Sequence, residues 1–318
     1  MKALQITGYG AEPALAEVAA VSPGPRQVVV DIAAASLNPL DLKIVAGYVT
    51  DFFPVTFPYS LGTDFSGRVG AVGDEVTGWQ VGDAVIGRLD PVAGGACAEQ
   101  AVIDADQLVP APGSVSLEAA AGIPTSAATA WQVLTEIADV RSGQTVLVHA
   151  AAGGVGSFAV QFAKRLGAQV VATASGSGVA IARKLGADTV LDYRQVAFEE
   201  EISGVDVVVD TVGGENEARS LEVLKPGGLL VAVPMPPDEA RAEAAGRRAA
   251  FVFHSSDGPR LAKVAKQIDD GVELLVDRTL PLAEGKWALA YLSQRHARGK
   301  VLLSVVQVAP GSGLSARP

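Results

Sequence analysis

The sequence predicts an α/β fold, a doubly wound parallel sheet inserted into a β-rich domain. Three observations carry this. Between 145 and 175 a short apolar run, a glycine-rich turn, a helical segment and a second apolar run follow one another. From there to 254, strand-like runs alternate with helical ones, the pattern of a parallel sheet covered by helices. Residues 1–110 instead show short β-rich runs divided by turn residues.

In that first region the runs 2–7, 27–34, 67–72, 83–86 and 98–103 read as strands. Pro23-Gly24-Pro25, Gly62, Gly73-Asp74, Gly78 and Gly82-Asp83 are the turn signals between them. An irregular, mostly antiparallel domain with little helix is expected. Segment 36–43 (SLNPLDLK) sets polar groups among apolar ones. Asn38 precedes a proline, which favours extended backbone and leaves its amide free to meet a ligand. Asn38 and Asp41 fit equally well a turn closed by side-chain bonds to the backbone. Residues 48–59 hold Tyr48, Phe52, Phe53, Phe57 and Tyr59, five of the chain's 9 Phe and 5 Tyr. Of these, Tyr48, Phe52, Phe53 and Tyr59 are candidates to line an apolar substrate pocket. Packing under a loop, or a dimer contact, fits the same composition.

Residues 114–143 are alanine-rich and helical in pattern (116–121 and 127–137), with Ser116 as a candidate N-cap and Pro124 between. Val146, Leu147 and Val148 then form a buried strand. After the turn Ala151-Ala152-Gly153-Gly154-Val155-Gly156, apolar residues at 155, 158, 159, 162, 163 and 166 fall on one helix face. Small residues let the backbone bend sharply and approach a pyrophosphate. The helix behind aims its free N–H groups and positive dipole end at it. A glycine match alone is also met in turns that bind nothing; the strand–turn–helix–strand context turns it into a dinucleotide site. Ala151 replaces the first glycine of the usual G-x-G-x-x-G. The nearly uncharged stretch 145–163 is not a membrane span, because adjacent glycines and an amphipathic helix interrupt it.

The end of the second strand bears on which dinucleotide is bound. A carboxylate there would bond the adenosine ribose hydroxyls and repel a 2′-phosphate. This chain has Ser175, then Gly176, Ser177 and Gly178, with no carboxylate before Asp188; Arg183, Lys184 and Tyr193-Arg194 lie downstream. NADPH is favoured over NADH, although the 175–178 loop itself carries no cation.

Helices are expected at 179–185, 215–224, 238–248, 258–270 and 284–298. Strands are expected at 189–192, 205–210, 229–233 and 250–254, and at 301–308 in a return to the first domain. Residues 310–318 read as a disordered tail.

The chain has 318 residues, 49% hydrophobic and 19% charged, a globular composition long enough for two domains. A net charge of −10 argues against nucleic acid or an anionic membrane as partner. The N-terminus has no continuous apolar run, and Cys97 is the single cysteine, which points to the cytoplasm. His149, His254 and His296 are scattered, so no metal is expected. Cys97 reads as a packing residue rather than a nucleophile.

The segments 38–43 (NPLDLK), 61–67 (LGTDFSG), 82–85 (GDAV), 129–131 (TAW), 150–156 (AAAGGVG), 185–188 (LGAD) with Asp192-Tyr193, and 299–301 (GKV) complete the pattern. Together they resemble the zinc-free quinone oxidoreductases and enone reductases of the medium-chain dehydrogenase/reductase superfamily. The resemblance implies a GroES-like catalytic domain (1–120, completed by 256–308), a Rossmann NADP(H)-binding domain (121–255) and a disordered tail (309–318). It implies a homodimer and a small apolar enone or quinone as substrate. At the positions resembling the alcohol-dehydrogenase zinc ligands this chain has Asn38-Pro39 and Gly62-Thr63-Asp64, and the four-cysteine loop is missing. The implied cofactor residues are Asn38, Lys43, Thr129, Ala152, Gly153, Gly154, Val155, Gly156, Ala174, Ser175, Ser177, Tyr193, Val212, Val233, Phe251, Val252, Phe253 and Lys300.

The activity so implied is NADPH-dependent hydride transfer to an enone, enoyl group or quinone, with the cofactor ribose hydroxyl, Asn38 and Lys43 as the candidate catalytic donors and water as the final proton source. Quinone reduction by one- or two-electron transfer is an alternative. A catalytically inactive NADPH-binding sensor or structural protein is another.

Overall fold

The structure, a computed structural model, describes residues 1–305. Six parallel strands lie in the order Thr189–Asp192, Gln169–Ala174, Thr145–Val148, Val205–Asp210, Leu224–Ala232 and Arg248–Phe251. The chain enters in the middle, builds to one edge, then returns to build the other half. The reversal falls between Thr145–Val148 and Val205–Asp210, where Val146 faces Val170 on one side and Val207 on the other. Helices cover both faces, so Val146, Leu147 and Val148 are wholly buried and the strand is apolar throughout rather than alternating. Phe158 and Phe162, on the helix Gly154–Arg165, continue this core, and Trp131 packs edge-on against Phe162 at 5.3 Å.

A second sheet is mostly antiparallel, in the order Val276–Pro281, Lys300–Ser304, Gln27–Leu37, Asp64–Val72, Ala84–Arg88 and Val109–Pro110, with Gln100–Asp104 also on Gln27–Leu37. Its core gathers Leu4, Ile32, Leu37, Phe65, Val85 and Leu303. The strand Lys300–Ser304 thus returns to the N-terminal sheet, as expected. Residues 306–308 of that expected strand, and the tail 309–318, lie outside the described residues.

Several local readings need correction. Segment 39–46 is a helix, Pro39–Ala46, not a plain turn. Proline fits its first position, where no N–H is needed, and Gly47 ends it in the left-handed region at φ 73°. The two helical segments expected around Pro124 are Leu117–Ala120 and Pro124–Trp131, the proline itself opening the second. The polar helix expected over 238–248 spans only Glu239–Ala244, because Gly246 turns the chain at φ 67°, and the following strand starts at Arg248. Strand Val276–Pro281 was not foreseen.

The segment assigned to completing the first domain divides. Leu261, Val264, Ala265 and Ile268 on Gly258–Asp269 form one apolar stripe and bury it in the core of the parallel-sheet body. Only the later strands rejoin the first sheet.

Candidate active site

In an open parallel sheet a ligand crevice forms beyond the carboxyl ends of the strands, at the point where strand order reverses. The turn 150–156 lies there, with Ser175, Tyr193, Val212, Val233 and Phe253 beyond the neighbouring strands. Helix Gly154–Arg165 starts from Gly153 in extended backbone, with no side-chain cap. The N–H groups of its first turn, at Gly154, Val155 and Gly156, are therefore available to an anion.

The glycines here answer to space. A Cβ on Gly156 would lie 2.3 Å from the Ala150 carbonyl oxygen, and one on Gly154 would lie 3.0 Å from Ser126 Oγ and 3.1 Å from Lys300 Cδ. Ala150 itself sits at φ 47°. The turn is pressed against the second body, since Gly153 bridges Gly299 strand-fashion and Lys300 passes beneath Gly154. This cradle fits a dinucleotide pyrophosphate.

Beneath the turn is a buried polar cluster. Lys300 Nζ donates to Asn38 Oδ1 at 2.5 Å and to the Leu37 carbonyl at 3.1 Å. Asn38 Nδ2 donates to Asp64 Oδ2 at 3.0 Å, and Thr125 reaches the same carboxylate through its hydroxyl (2.5 Å) and its backbone N–H (3.1 Å). Arg88 Nε donates to Thr125 Oγ1 at 3.0 Å. The Asn38 N–H donates to Asp41 Oδ2 at 2.7 Å. Burial pushes the Asp41 carboxyl up to about 6, with the charge on Asp64 adding to it. Burial pushes Lys300 down from the usual lysine range, against the pull of Asp64 and Asp41. The expectation that the Asn38 amide is free to meet a ligand is therefore corrected, because both of its polar atoms are engaged inside the protein.

Lys43 crosses between the bodies and donates to the Pro234 carbonyl; burial, then the nearby Arg295, lowers its pKa. An aromatic contact closes the same side. Phe53 stacks on Phe253 at 5.9 Å and 18°, with Phe52 tilted against it at 6.4 Å and Phe251 edge-on. Phe52 and Phe253 are about half exposed, so the wall they form faces solvent.

The other expected residues divide. Ala152, Ala174 and Val252 are buried around the crevice, and Ser175 Oγ donates to the Tyr193 hydroxyl at 3.0 Å. Ser177 opens the helix Ser177–Lys184. Thr129 is buried within Pro124–Trp131, whose Ser126 is the residue that meets the turn. Tyr48 is 79% exposed, next to Gly47. Tyr59 is 2% exposed, belongs to the core of the first body and donates to the Pro91 carbonyl at 2.7 Å. Tyr59 as a substrate residue is thus corrected: its ring packs under the sheet and its hydroxyl is satisfied.

Asp64 and Thr125 are functional neighbours that spacing could not pair, since they lie 61 positions apart. Arg298 was missed as well; its Nη2 approaches the Ser175 carbonyl at 3.4 Å.

Residues 24–113 match the alcohol dehydrogenase GroES-like domain family and residues 185–303 the zinc-binding dehydrogenase family. The chain is 37% identical to a quinone oxidoreductase of Pseudomonas aeruginosa over 240 residues, 72% of each protein. The chain belongs to the medium-chain dehydrogenase/reductase superfamily. Its fold superposes on the quinone oxidoreductase from Coxiella burnetii with a TM-score of 0.89 at 32% identity, over 96% of this chain and 99% of that one. It superposes on Escherichia coli quinone oxidoreductase complexed with NADPH with a TM-score of 0.87 at 25% identity, over 96% and 100%. Membership makes the chain an oxidoreductase that works with a nicotinamide dinucleotide.

The zinc of the family name finds no fitting donor set. Among the described residues no group of three or more His, Cys, Asp or Glu is placed to hold a metal ion, and the cleft carboxylates are met by Lys300 and Arg88. No helix of the described residues is long and apolar enough to cross a membrane.

Proposed function

We propose that this reductase uses NADPH to reduce the activated double bond of an enone or enoyl group, or a quinone, in the crevice between its two bodies. The observation that carries this reading is the aromatic wall of Phe52, Phe53 and Phe253, beyond the carboxyl end of the same sheet that carries the dinucleotide turn. A flat, apolar, electron-poor acceptor matches such a wall better than a charged one does. The likeness to quinone oxidoreductases supports the same reading.

When bound, the nicotinamide supplies hydride to the acceptor. Everything else falls to the chain. Gly154, Val155 and Gly156 hold the pyrophosphate by backbone N–H groups, and Gly153, whose own N–H donates to the Ala150 carbonyl, shapes the turn. Asn38, tied to Lys300 and Asp64, fixes the floor of the cleft and keeps the 38–46 segment in register with the turn. Orientation of this kind, rather than covalent chemistry, is how such a site gains rate. Lys43 Nζ, released from the Pro234 carbonyl, is the donor for the acceptor oxygen on which negative charge develops. Its depressed pKa makes it the stronger acid. The last proton comes from water.

The experiment is the loss of nicotinamide absorbance with a quinone and, separately, a small enone, each with NADPH and with NADH, followed by product identification. A saturated C=C bond marks enone reduction, and a hydroquinone the alternative. Tight NADPH binding without turnover on either acceptor would overturn the reading in favour of a cofactor sensor.

A further inference from the structure

We infer that Arg88 binds a carboxylate on the acceptor, so that the substrate class is a conjugated carbonyl compound carrying an acid group. This rests on the acceptor site proposed above and narrows what that site takes.

Arg88 ends the strand Ala84–Arg88, where it lies opposite Asp64 on the neighbouring strand. Side chains directly opposite one another share a face of the sheet, so the guanidinium leaves on the side that Asp64 does, towards the crevice. Two hydroxyls of the parallel-sheet body hold it there. Nε donates to Thr125 Oγ1 and Nη1 to Ser256 Oγ, both at 3.0 Å. Each hydroxyl has one proton to give, and both are spent: Thr125 donates to Asp64 Oδ1, and Ser256 to the Arg88 carbonyl at 2.9 Å. Thr125 precedes Ser126, which meets the glycine turn at Gly154, and Ser256 closely follows the wall residue Phe253. The guanidinium therefore lies between the turn that takes the dinucleotide and the wall that takes the acceptor.

What it lacks is a direct counter-charge. Arg88 is 6% exposed, and among the described residues it forms no ion pair; the Thr125 hydroxyl stands between it and Asp64. Its Nη2 makes no hydrogen bond among the described residues and is not sealed from solvent. Burial lowers the pKa of Arg88 against the pull of Asp64, Asp90 and Asp41, but a guanidinium keeps its proton at any working pH. It cannot leave an unpaired site by turning neutral, as a lysine can. The nearby bases add no free charge. Lys300 is spent on Asn38 and the Leu37 carbonyl, and burial, with Arg88 and Arg260, pushes His254 down to about 3 and keeps it neutral.

A buried cation without a partner is costly until an anion reaches it. Nη1 and Nη2 offer the parallel N–H pair that takes both oxygens of a carboxylate, and a single fork suits that monoanion better than a phosphate dianion. The conjugated part of such an acceptor lies flat on Phe52, Phe53 and Phe253, with its reacting oxygen towards Lys43. The acid group, which an aromatic wall does not hold, reaches Arg88.

The test is calorimetric titration of β-benzoylpropionate and of its methyl ester into the full chain loaded with NADPH. Both carry an aryl ketone for the wall and no C=C bond to reduce. Wild type should bind the acid at least about 10-fold tighter than the ester, the value of hydrogen bonds to a charged group. The net charge of −10 works against that preference, so its appearance marks a local cation. Arg88→Met should weaken the acid by about 10- to 100-fold and the ester by less than about 3-fold. Arg88→Lys keeps the charge without the fork and should fall between wild type and Arg88→Met. A wild type that binds both alike, or prefers the ester, overturns the inference. So does an Arg88→Met protein that keeps the preference or loses both ligands equally. Should Arg88→Met not fold, the wild-type pair and Arg88→Lys decide. Since nothing is reduced in this titration, failure to turn over quinones or enones would overturn the proposed reaction without touching this result.

Discussion

Replacing Gly156 by alanine tests the close approach on which the dinucleotide turn depends. The added Cβ would stand 2.3 Å from the Ala150 carbonyl oxygen, 2.9 Å from its carbon and 3.0 Å from Ala151 Cα, all of them backbone atoms. Ordinary contact begins near 3.4 Å, so the helix Gly154–Arg165 must retreat from the strand end by about 1 Å. No side chain can swing away to absorb this. Overpacking of this kind costs about 1–3 kcal/mol, and a backbone obstacle puts Gly156→Ala at the upper end. The melting temperature should fall by about 5–10 °C. The N–H groups at 154–156 move with the helix, so NADPH affinity should fall at least about 10-fold, read from the fluorescence of the bound nicotinamide. Gly113→Ala is the control, since its Cβ meets nothing within 4 Å. A Gly156→Ala protein with wild-type melting and wild-type NADPH affinity would refute the claim that this glycine is fixed by helix–strand contact.

Other outcomes follow from the polar cluster and the aromatic wall. Asn38→Ala strands Lys300 and Asp64; turnover should drop at least about 10-fold while NADPH affinity shifts by less than about 3-fold, and unchanged turnover removes Asn38 from the mechanism. Asp41 keeps its proton up to about pH 6 in the folded chain but only to 3.8 when unfolded, so its contribution to stability is present at low pH and is lost as pH rises through that window. Relative to Asp41→Asn, wild type should therefore lose about 2 kcal/mol between pH 4.5 and 7 in denaturant titrations, and parallel curves would contradict the assignment. Tyr59→Phe should cost about 1 kcal/mol and leave turnover intact, whereas Phe253→Ala should raise KM for apolar acceptors several-fold. The reverse pattern would return Tyr59 to the pocket.

The parallel-sheet half was legible because its signals are local. An apolar run, small turn residues and an amphipathic helix sit within thirty positions, and each element declares the next. The first body was less legible. Helix Pro39–Ala46 is eight residues long and buries only Asp41 and Ile44, so no clear apolar stripe announced it. The same limit separates Phe53 from Tyr59. Both belong to one aromatic segment, and only the fold turns one ring towards Phe253 and the other into the core. The helix Gly258–Asp269 showed its stripe plainly, but a stripe does not say which body it will cover. Arg298 was beyond reach for a simpler reason, since its partner Ser175 lies 123 positions away.

The bond between Lys300 and the Leu37 carbonyl spans 263 positions, and this separation orders events during synthesis. The strand Gln27–Leu37 leaves the ribosome long before Lys300–Ser304 exists to pair with it. At about 5–20 residues per second the wait is tens of seconds. Over that interval the parallel-sheet body can assemble from contiguous chain, while the first sheet waits with the Ala34–Leu37 end of its longest strand open on one side. The strand Lys300–Ser304, once it emerges, brings Gly299 to the glycine turn, Lys300 to Asn38 and Arg298 to Ser175 in one step. A nascent chain arrested before residue 298 should therefore contain a folded sheet yet lack the grip on NADPH that the finished molecule has.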